Sequence, residues 1–242
     1  MLDRLISFMN NWLKFRSHLL IYFLFIGSIN GQHISFSSVT DGWSQTISNP
    51  NSQMILLGGL IGSGLASQYD QTFQSNVQSN GLMPNGLATV GDYWGITGQL
   101  LLWGSFLNHD EKSNQLEYAM NAFIANGIIT YGLKFAVRRE RPDQSNTRSF
   151  PSGHTSNSFL TATIAQEIYG SNKGVPAYAL ACITGLSRIH DNKHYVSDVI
   201  FGAALGMAIG KGFAQVYRNN VSGKISILPL ANQSRIQLVW HF

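Results

Sequence analysis

Residues 149–155 read Ser-Phe-Pro-Ser-Gly-His-Thr and continue without a charged side chain through Ser156–Gln166. Ser152 has the side chain of a helix N-cap, and Gly153 lets the backbone approach a ligand closely. The segment therefore reads as a helix start whose free amides can hold the oxygens of an anion. His154 falls in that first turn, beside the same oxygens. On its own, a Ser-Gly helix start means no more than a cap.

Working outward toward the N-terminus, the apolar-periodic stretch Ala119–Val137 predicts a helix with Lys134 near its end and Arg141-Pro142 seven residues on. Positions seven apart lie two turns along nearly one face, so Lys134 and Arg141 can address a common anion if the helix runs that far. Pro142 ends the helix or opens the next loop. The plain alternative is a solvated basic helix end, with Arg138, Arg139 and Arg141 offsetting the negative end of the dipole. Toward the C-terminus come Ser187-Arg188, His194 and Asp198, leading into Val199–Gly210. On one helix, Asp198 four residues after His194 accepts the Nδ1 proton and leaves Nε2 free to act. The plain alternative is a surface pair worth roughly a few tenths of a kcal/mol.

The three pieces in this order resemble the type 2 phosphatidic acid phosphatase superfamily, whose site is shared with vanadium haloperoxidases and bacterial class A acid phosphatases. Lys134 with Arg141-Pro142, Pro151-Ser152-Gly153-His154, and Ser187-Arg188 with His194 and Asp198 each match a signature element, within the stretch 119–211. Only Asp143–Phe150 separate the first element from the second, where many relatives carry a longer insert. That leaves less chain to cap a substrate and bears on substrate choice rather than on the chemistry.

The resemblance implies roles. His194 attacks phosphorus and becomes a phosphohistidine, while Asp198 orients the ring and stabilises the imidazolium. His154 protonates the leaving oxygen and then activates water. Lys134, Arg141, Arg188 and the amides near Ser152 and Gly153 hold the equatorial oxygens. Neither a metal nor another cofactor is called for. The residue types suit this division, since Arg offers phosphate a planar fork and Lys a mobile point charge. His190 is the rival nucleophile, but four residues after it stands His194 and not a carboxylate, which assigns it to the rim. His18, His33, His109 and His241 have no comparable company.

The expected fold is all-α: a helical bundle of about six core helices with a short C-terminal β-hairpin. Residues 32–242 form one phosphatase domain with motif core 119–211. Glycines at 58, 59, 62 and 64 and at 202, 206 and 210 suggest close helix crossings. Asp70–Asp92, rich in Asn, Gln, Ser and Gly, reads as a long loop holding at most one short helix, a candidate wall for substrate entry. Within 224–242, alternation of Ile236, Leu238, Trp240 and Phe242 predicts a hairpin packed over the bundle. Trp94, Leu100, Leu101, Leu102 and Trp103 supply either an apolar groove beside the site or plain core.

Residues 1–31 read as a signal peptide, with Arg4, Lys14 and Arg16 ahead of the apolar run Leu19–Ile29; the alternative is an uncleaved N-terminal anchor. The uncharged stretches of the body all fall short of the roughly twenty residues that a span needs. Together with a mean hydropathy of +0.01, this favours an exported body, periplasmic or peripheral to the membrane, over a multi-span inner-membrane protein. Cys182, the one cysteine, forms no internal disulfide and reads as a small core residue. The net charge of +4 falls to +2 without residues 1–31, which remove three basic side chains and one acidic one, too little to suggest nucleic acid.

The function expected is a metal-independent phosphatase hydrolysing a lipid phosphomonoester or isoprenyl diphosphate, working at a membrane surface. One alternative is a broad-specificity periplasmic acid phosphatase on small phosphate esters. A vanadium-dependent haloperoxidase shares only the cage, and a non-catalytic periplasmic binding protein sits poorly with the presence of His194, Asp198 and His154 together.

Overall fold

The computed structural model describes residues 36–107 and 112–221, together with the backbone of 226–229 and 236–239. The signal or anchor segment 1–31 and His18, His33, His109 and His241 lie outside the described residues. Among the described residues eight helices are seen rather than the expected six or so: α1 (Phe36–Ser48), α2 (Pro50–Ser67), α3 (Asp70–Asn80), α4 (Asn85–Phe106), α5 (Lys112–Val137), α6 (Gly153–Tyr169), α7 (Ser171–His190) and α8 (Val196–Val221). Fold class is therefore all-α, as the apolar periodicity indicated.

One of the extra helices comes from a segment that composition hid. The presumed loop 70–92 is mostly helical, because α3 buries Asp70, Gln74 and Val77 along one face and closes at Gly81, whose φ of 77° suits glycine. Four residues later α4 begins. The packed C-terminal hairpin is not supported: Ser226–Pro229 and Ile236–Val239 pair antiparallel with each other, and no substantial packing joins them to a described helix. Cys182 is exposed on α7 rather than in the core.

α8 is the hub, packed against α1, α2, α5 and α6, while α6 also packs against α7, α4 and α5. Small residues set the closest approaches. A Cβ on Gly202 would lie 2.6 Å from the carbonyl oxygen of Ser152, one on Gly206 2.1 Å from that of Ser156, and one on Gly210 2.6 Å from Thr163 Cγ2. Both sets of numbers rise together, so α6 and α8 run parallel and start at the same end of the bundle. Against α7 the order reverses, with Gly185 beside Thr155 and Gly174 beside Gln166. α7 therefore ends where α6 begins.

Two helices turn apolar residues outward while burying polar ones. α5 buries Asn121, Asn126, Thr130 and Lys134 but exposes Ile124, Ile128, Tyr131 and Phe135 at helical spacing. α2 buries Ser52, Gly59 and Ser63 while Met54, Leu57, Ile61 and Leu65 are each more than half exposed. The buried polar groups find partners in neighbours, as where Asn126 donates to Asn157 at 2.7 Å and accepts from Ser156 at 2.6 Å. By length and composition, one described helix, within α8, could cross a membrane.

Candidate active site

Four helix ends meet at one end of this bundle: the starts of α6 and α8 and the ends of α5 and α7. Ser152 N–H donates to the carbonyl of Asp198 at 3.0 Å and His194 N–H to that of Arg188 at 3.1 Å, which ties the ends together. The two helix starts present the positive ends of their dipoles, and the two helix ends carry Lys134 and Arg188, the charge that suits a helix C-terminus. Such a meeting point favours an anion.

Lys134 does not point freely at that anion. Its Nζ donates to the carbonyls of Arg148 (2.8 Å), Ser149 (3.3 Å) and Pro151 (2.5 Å), so its three donors brace the turn ahead of α6. Nor does Arg141 share a helix with it. Arg138 adopts a φ of 50° and α5 stops at Val137, four residues before Arg141. Arg141 instead sits in a loop held by its N–H on Asn146 and by Asp143, which bonds Asn192 through the main chain and Lys193 through its carboxylate at 2.6 Å. Burial first, and then the nearby Arg188, push the pKa of Arg141 down. Two guanidinium groups thus face one region with their mutual repulsion only partly offset, and an incoming anion relieves it.

Arg188 is 8% exposed and is held by Asp92 of α4 through Nη1, with Asp191 at 3.5 Å. Ser187 donates to the same Asp92 oxygen at 3.0 Å. The Nε atoms of Arg141 and Arg188 are both buried without a hydrogen-bond partner, which leaves donors available in the pocket that the cations define.

His194 precedes α8 rather than lying on it, and Asp198 stands in the first turn of that helix. Their separation, Nδ1 to Oδ2, is 3.7 Å, adjacent but longer than a hydrogen bond. The ring is 2% exposed. Burial, reinforced by the positive charges of Lys134 and Arg141 and opposed by Asp198, pushes its pKa down to about 3, so the imidazole is neutral at neutral pH. His154 is exposed in the first turn of α6, next to Gly95 of α4, where a Cβ would come within 3.3 Å of the ring. Ser152 takes an extended N-cap conformation but caps nothing; its hydroxyl pairs with that of Thr155 at 2.8 Å. The first amides of α6 therefore receive no cap from the Ser152 side chain. His190 is tied to the connection between α3 and α4, with Nε2 3.0 Å from Asn85 Oδ1.

Residues that sequence reasoning passed over surround Asp198. Its Oδ1 accepts from Arg139 (2.8 Å), and its Oδ2 accepts from the Ser149 hydroxyl (2.5 Å) and the Tyr195 amide (2.9 Å). Asp70 completes the group through Arg139 at 2.7 Å. Arg139 had been visible only as one of a run of basic residues. Asp70 carried a signal in its spacing to Gln74 and Val77. Among the described residues, no cluster of three His, Cys, Asp or Glu side chains stands as metal ligands would.

A family model, the PAP2 superfamily, matches residues 116–222, the segment that contributes Lys134, Arg139, Arg141, Ser152, His154, Arg188, His194 and Asp198. A decaprenylphosphoryl-5-phosphoribose phosphatase from Mycobacterium tuberculosis is 33% identical over 138 residues, which cover 52% of this chain and 73% of that protein. The chain belongs to the PAP2 superfamily. A lipid A 1-phosphatase from Porphyromonas gingivalis is 36% identical over 121 residues, covering 49% of this chain and 25% of that protein. This PAP2 chain thus matches only a quarter of that relative's length. Among solved structures, LpxE of Aquifex aeolicus aligns with a TM-score of 0.47 and 22% identity, over 55% of this chain and 88% of that one.

Proposed function

We propose that this PAP2 chain is a phosphatase that hydrolyses a lipid phosphomonoester through a phosphohistidine, without a metal. The observation that carries the reading is the meeting of a neutral, carboxylate-backed His194 with Arg141, Arg188 and the uncapped start of α6 at one bundle end. A neutral Nε2 can attack phosphorus as the ester P–O bond breaks, while Asp198 stabilises the positive ring that results. His154 supplies the proton that the leaving oxygen needs, then takes one from the water that attacks phosphorus as the P–N bond breaks, which releases phosphate and frees His194. Arg141, Arg188 and the α6 amides hold the three equatorial oxygens, and Lys134 holds the turn that presents those amides. Residues 32–242 act as one domain in this reading.

The lipid class of substrate is favoured by the names of the relatives, which refer to lipid A and to a decaprenylphosphoryl sugar phosphate. It is favoured independently by the apolar outer stripes of α2 and α5, which suit a hydrocarbon surrounding better than water. We place the bundle in a membrane on this ground, with the site at its rim, rather than in the soluble or peripheral position that run length suggested.

The test is phosphate release by the full chain in detergent with excess chelator, from long-chain phosphatidic acid in mixed micelles beside p-nitrophenyl phosphate. Preference for the lipid is expected. Equal or better use of the small ester moves the assignment to a broad-specificity phosphatase, and loss of activity in chelator overturns the metal-free chemistry.

A further inference from the structure

Asp70 opens α3 and is 2% exposed. Its Oδ1 accepts the Ser197 amide at 3.1 Å, and its Oδ2 accepts the Ser197 hydroxyl and Arg139 Nη2, the latter at 2.7 Å. The other arm of Arg139, Nη1, donates to Ser197 Oγ at 2.6 Å and to Asp198 Oδ1 at 2.8 Å. The guanidinium also lies 4.3 Å from the centroid of the Tyr195 ring. Asp198 is therefore pinned on both oxygens, with Ser149 and the Tyr195 amide on the oxygen that faces His194. One cation stands between two buried carboxylates, only one of which touches the imidazole.

We infer that Asp70 and Arg139 are a positioning pair for the proposed reaction: Arg139 fixes the plane of Asp198, and Asp70 shares the guanidinium charge so that Asp198 keeps its own for His194. The inference rests on the reading of His194 as nucleophile. A guanidinium left with Asp198 alone would neutralise it and weaken its hold on the positive ring formed in the first step. A carboxylate left without Arg139 would be free to turn and would act on the ring with its full charge. The two partners thus pull the basicity of His194 in opposite directions, which a merely structural ion pair does not do. The other charges acting on the ring are Lys134 from α5 and Arg141 from the following loop, which oppose its protonation. Arg188 from α7 stands at the same bundle end through its carbonyl bond to His194. His154 stands in the first turn of α6, and these four groups are common to every variant below.

The experiment measures kcat and KM on phosphatidic acid micelles between about pH 2 and 9, a window that includes the low pKa of His194, for the full chain and for Asp70→Asn, Arg139→Gln, Arg139→Lys and His194→Ala. Asp70→Asn is expected to move the acid limb of kcat/KM to lower pH and Arg139→Gln to move it to higher pH. Each lowers kcat by about 10- to 100-fold, as loss of the partners of catalytic groups does elsewhere, with KM little changed. Shifts in the same direction, no shift, or a loss confined to KM overturn the pair. Should either variant fail to melt cooperatively, Arg139→Lys decides: it keeps the charge but not the fork, so kcat falls about tenfold with the acid limb in place, and a wild-type kcat there overturns the inference. An inactive wild type overturns the functional reading and this one with it. An active wild type with inactive His194→Ala and unshifted Asp70 and Arg139 variants overturns the pair alone.

Discussion

The two helix starts that share one end of the bundle are finished differently. At α8 the protein supplies its own anions: Asp70 accepts the Ser197 amide, and Asp198 reaches back to the Tyr195 amide in the manner of a capping box. At α6, three residues after the cis Phe150–Pro151 bond, the N-cap Ser152 turns its hydroxyl to Thr155 and leaves the first turn uncapped. Both ends carry the same dipole and the same kind of orphan amides. One is closed by carboxylates and holds His194, the proposed nucleophile, in place; the other is left open beside two arginines. A helix start without a cap costs about 1 kcal/mol of stability, which makes an open one informative when a cap residue is present and turned away.

The comparison breaks most directly at the nucleophile. His194→Ala is expected to lower kcat by roughly 10⁴-fold or more, as removal of a covalent nucleophile does in other enzymes, with a melting temperature close to that of the wild type. Phosphate release and a thermal melt check both halves. Activity within tenfold of wild type would mean that the closed end does not hold the attacking group.

How much of this arrangement the sequence displays differs along the same line. Lys134, Arg141, Ser152, Gly153, His154, Arg188, His194 and Asp198 are legible because each sits at a fixed spacing within one short segment, and the structure gathers them at one bundle end. Their detailed geometry is not legible, since Arg138 ends α5 before Arg141 and His194 stands ahead of α8. Asp70 and Arg139 are joined across 69 positions of sequence, and no spacing rule reaches that far. The proposed membrane placement meets the same limit. Uncharged runs on α2 and α5 are short by count, and only the packing shows that their polar residues face inward. Composition misled at α3 for a related reason: Asn, Gln and Ser disfavour a helix in isolation, yet burial of one face of α3 overrides the preference.

The parallel contact of α6 and α8 keeps the two starts level, so disturbing it sharpens the comparison. Gly202→Ala places a methyl 2.6 Å from the Ser152 carbonyl oxygen, where the backbone has to yield. A loss of about 1–3 kcal/mol in stability is expected from overpacking, with a fall in kcat larger than any change in KM, because Ser152 N–H is bonded to the Asp198 carbonyl. Denaturant unfolding and steady-state kinetics measure the two effects. An unchanged kcat would show that the open end tolerates movement against the closed one.

Acid acts on the closed end through His194. Its folded pKa of about 3 lies below the unfolded value of about 6.5, so below that value the unfolded chain takes up a proton that the folded ring refuses. The contribution is neutral above about pH 6.5 and becomes destabilising as the pH falls toward 3, with a slope of up to about 1.4 kcal/mol per unit. His194→Gln removes the titration, and its stability is expected to fall less steeply over that window than that of the wild type. Parallel pH profiles of unfolding for the two proteins would contradict the burial of a neutral ring.

The smallest expected effect comes from a third helix start, which serves as the reference for the other two. At α2, Asn49 accepts the amides of Asn51 at 2.9 Å and Ser52 at 3.4 Å, with Pro50 in the first turn. That is a cap with no ligand to wait for, on a helix that reaches the start of α8 near its other end, where Ser63 donates to the Ser197 carbonyl at 2.9 Å. Asn49→Ala should therefore cost about 1 kcal/mol in unfolding free energy and leave kcat and KM as they are. Ser152→Ala is expected to lower turnover as well as stability: the first amides of α6 lose no cap, but the buried Thr155 hydroxyl beside the site is left without its partner. If the two substitutions instead cost equal stability and Ser152→Ala keeps full turnover, Ser152 is an ordinary cap and the distinction between open and closed helix starts fails at its simplest point.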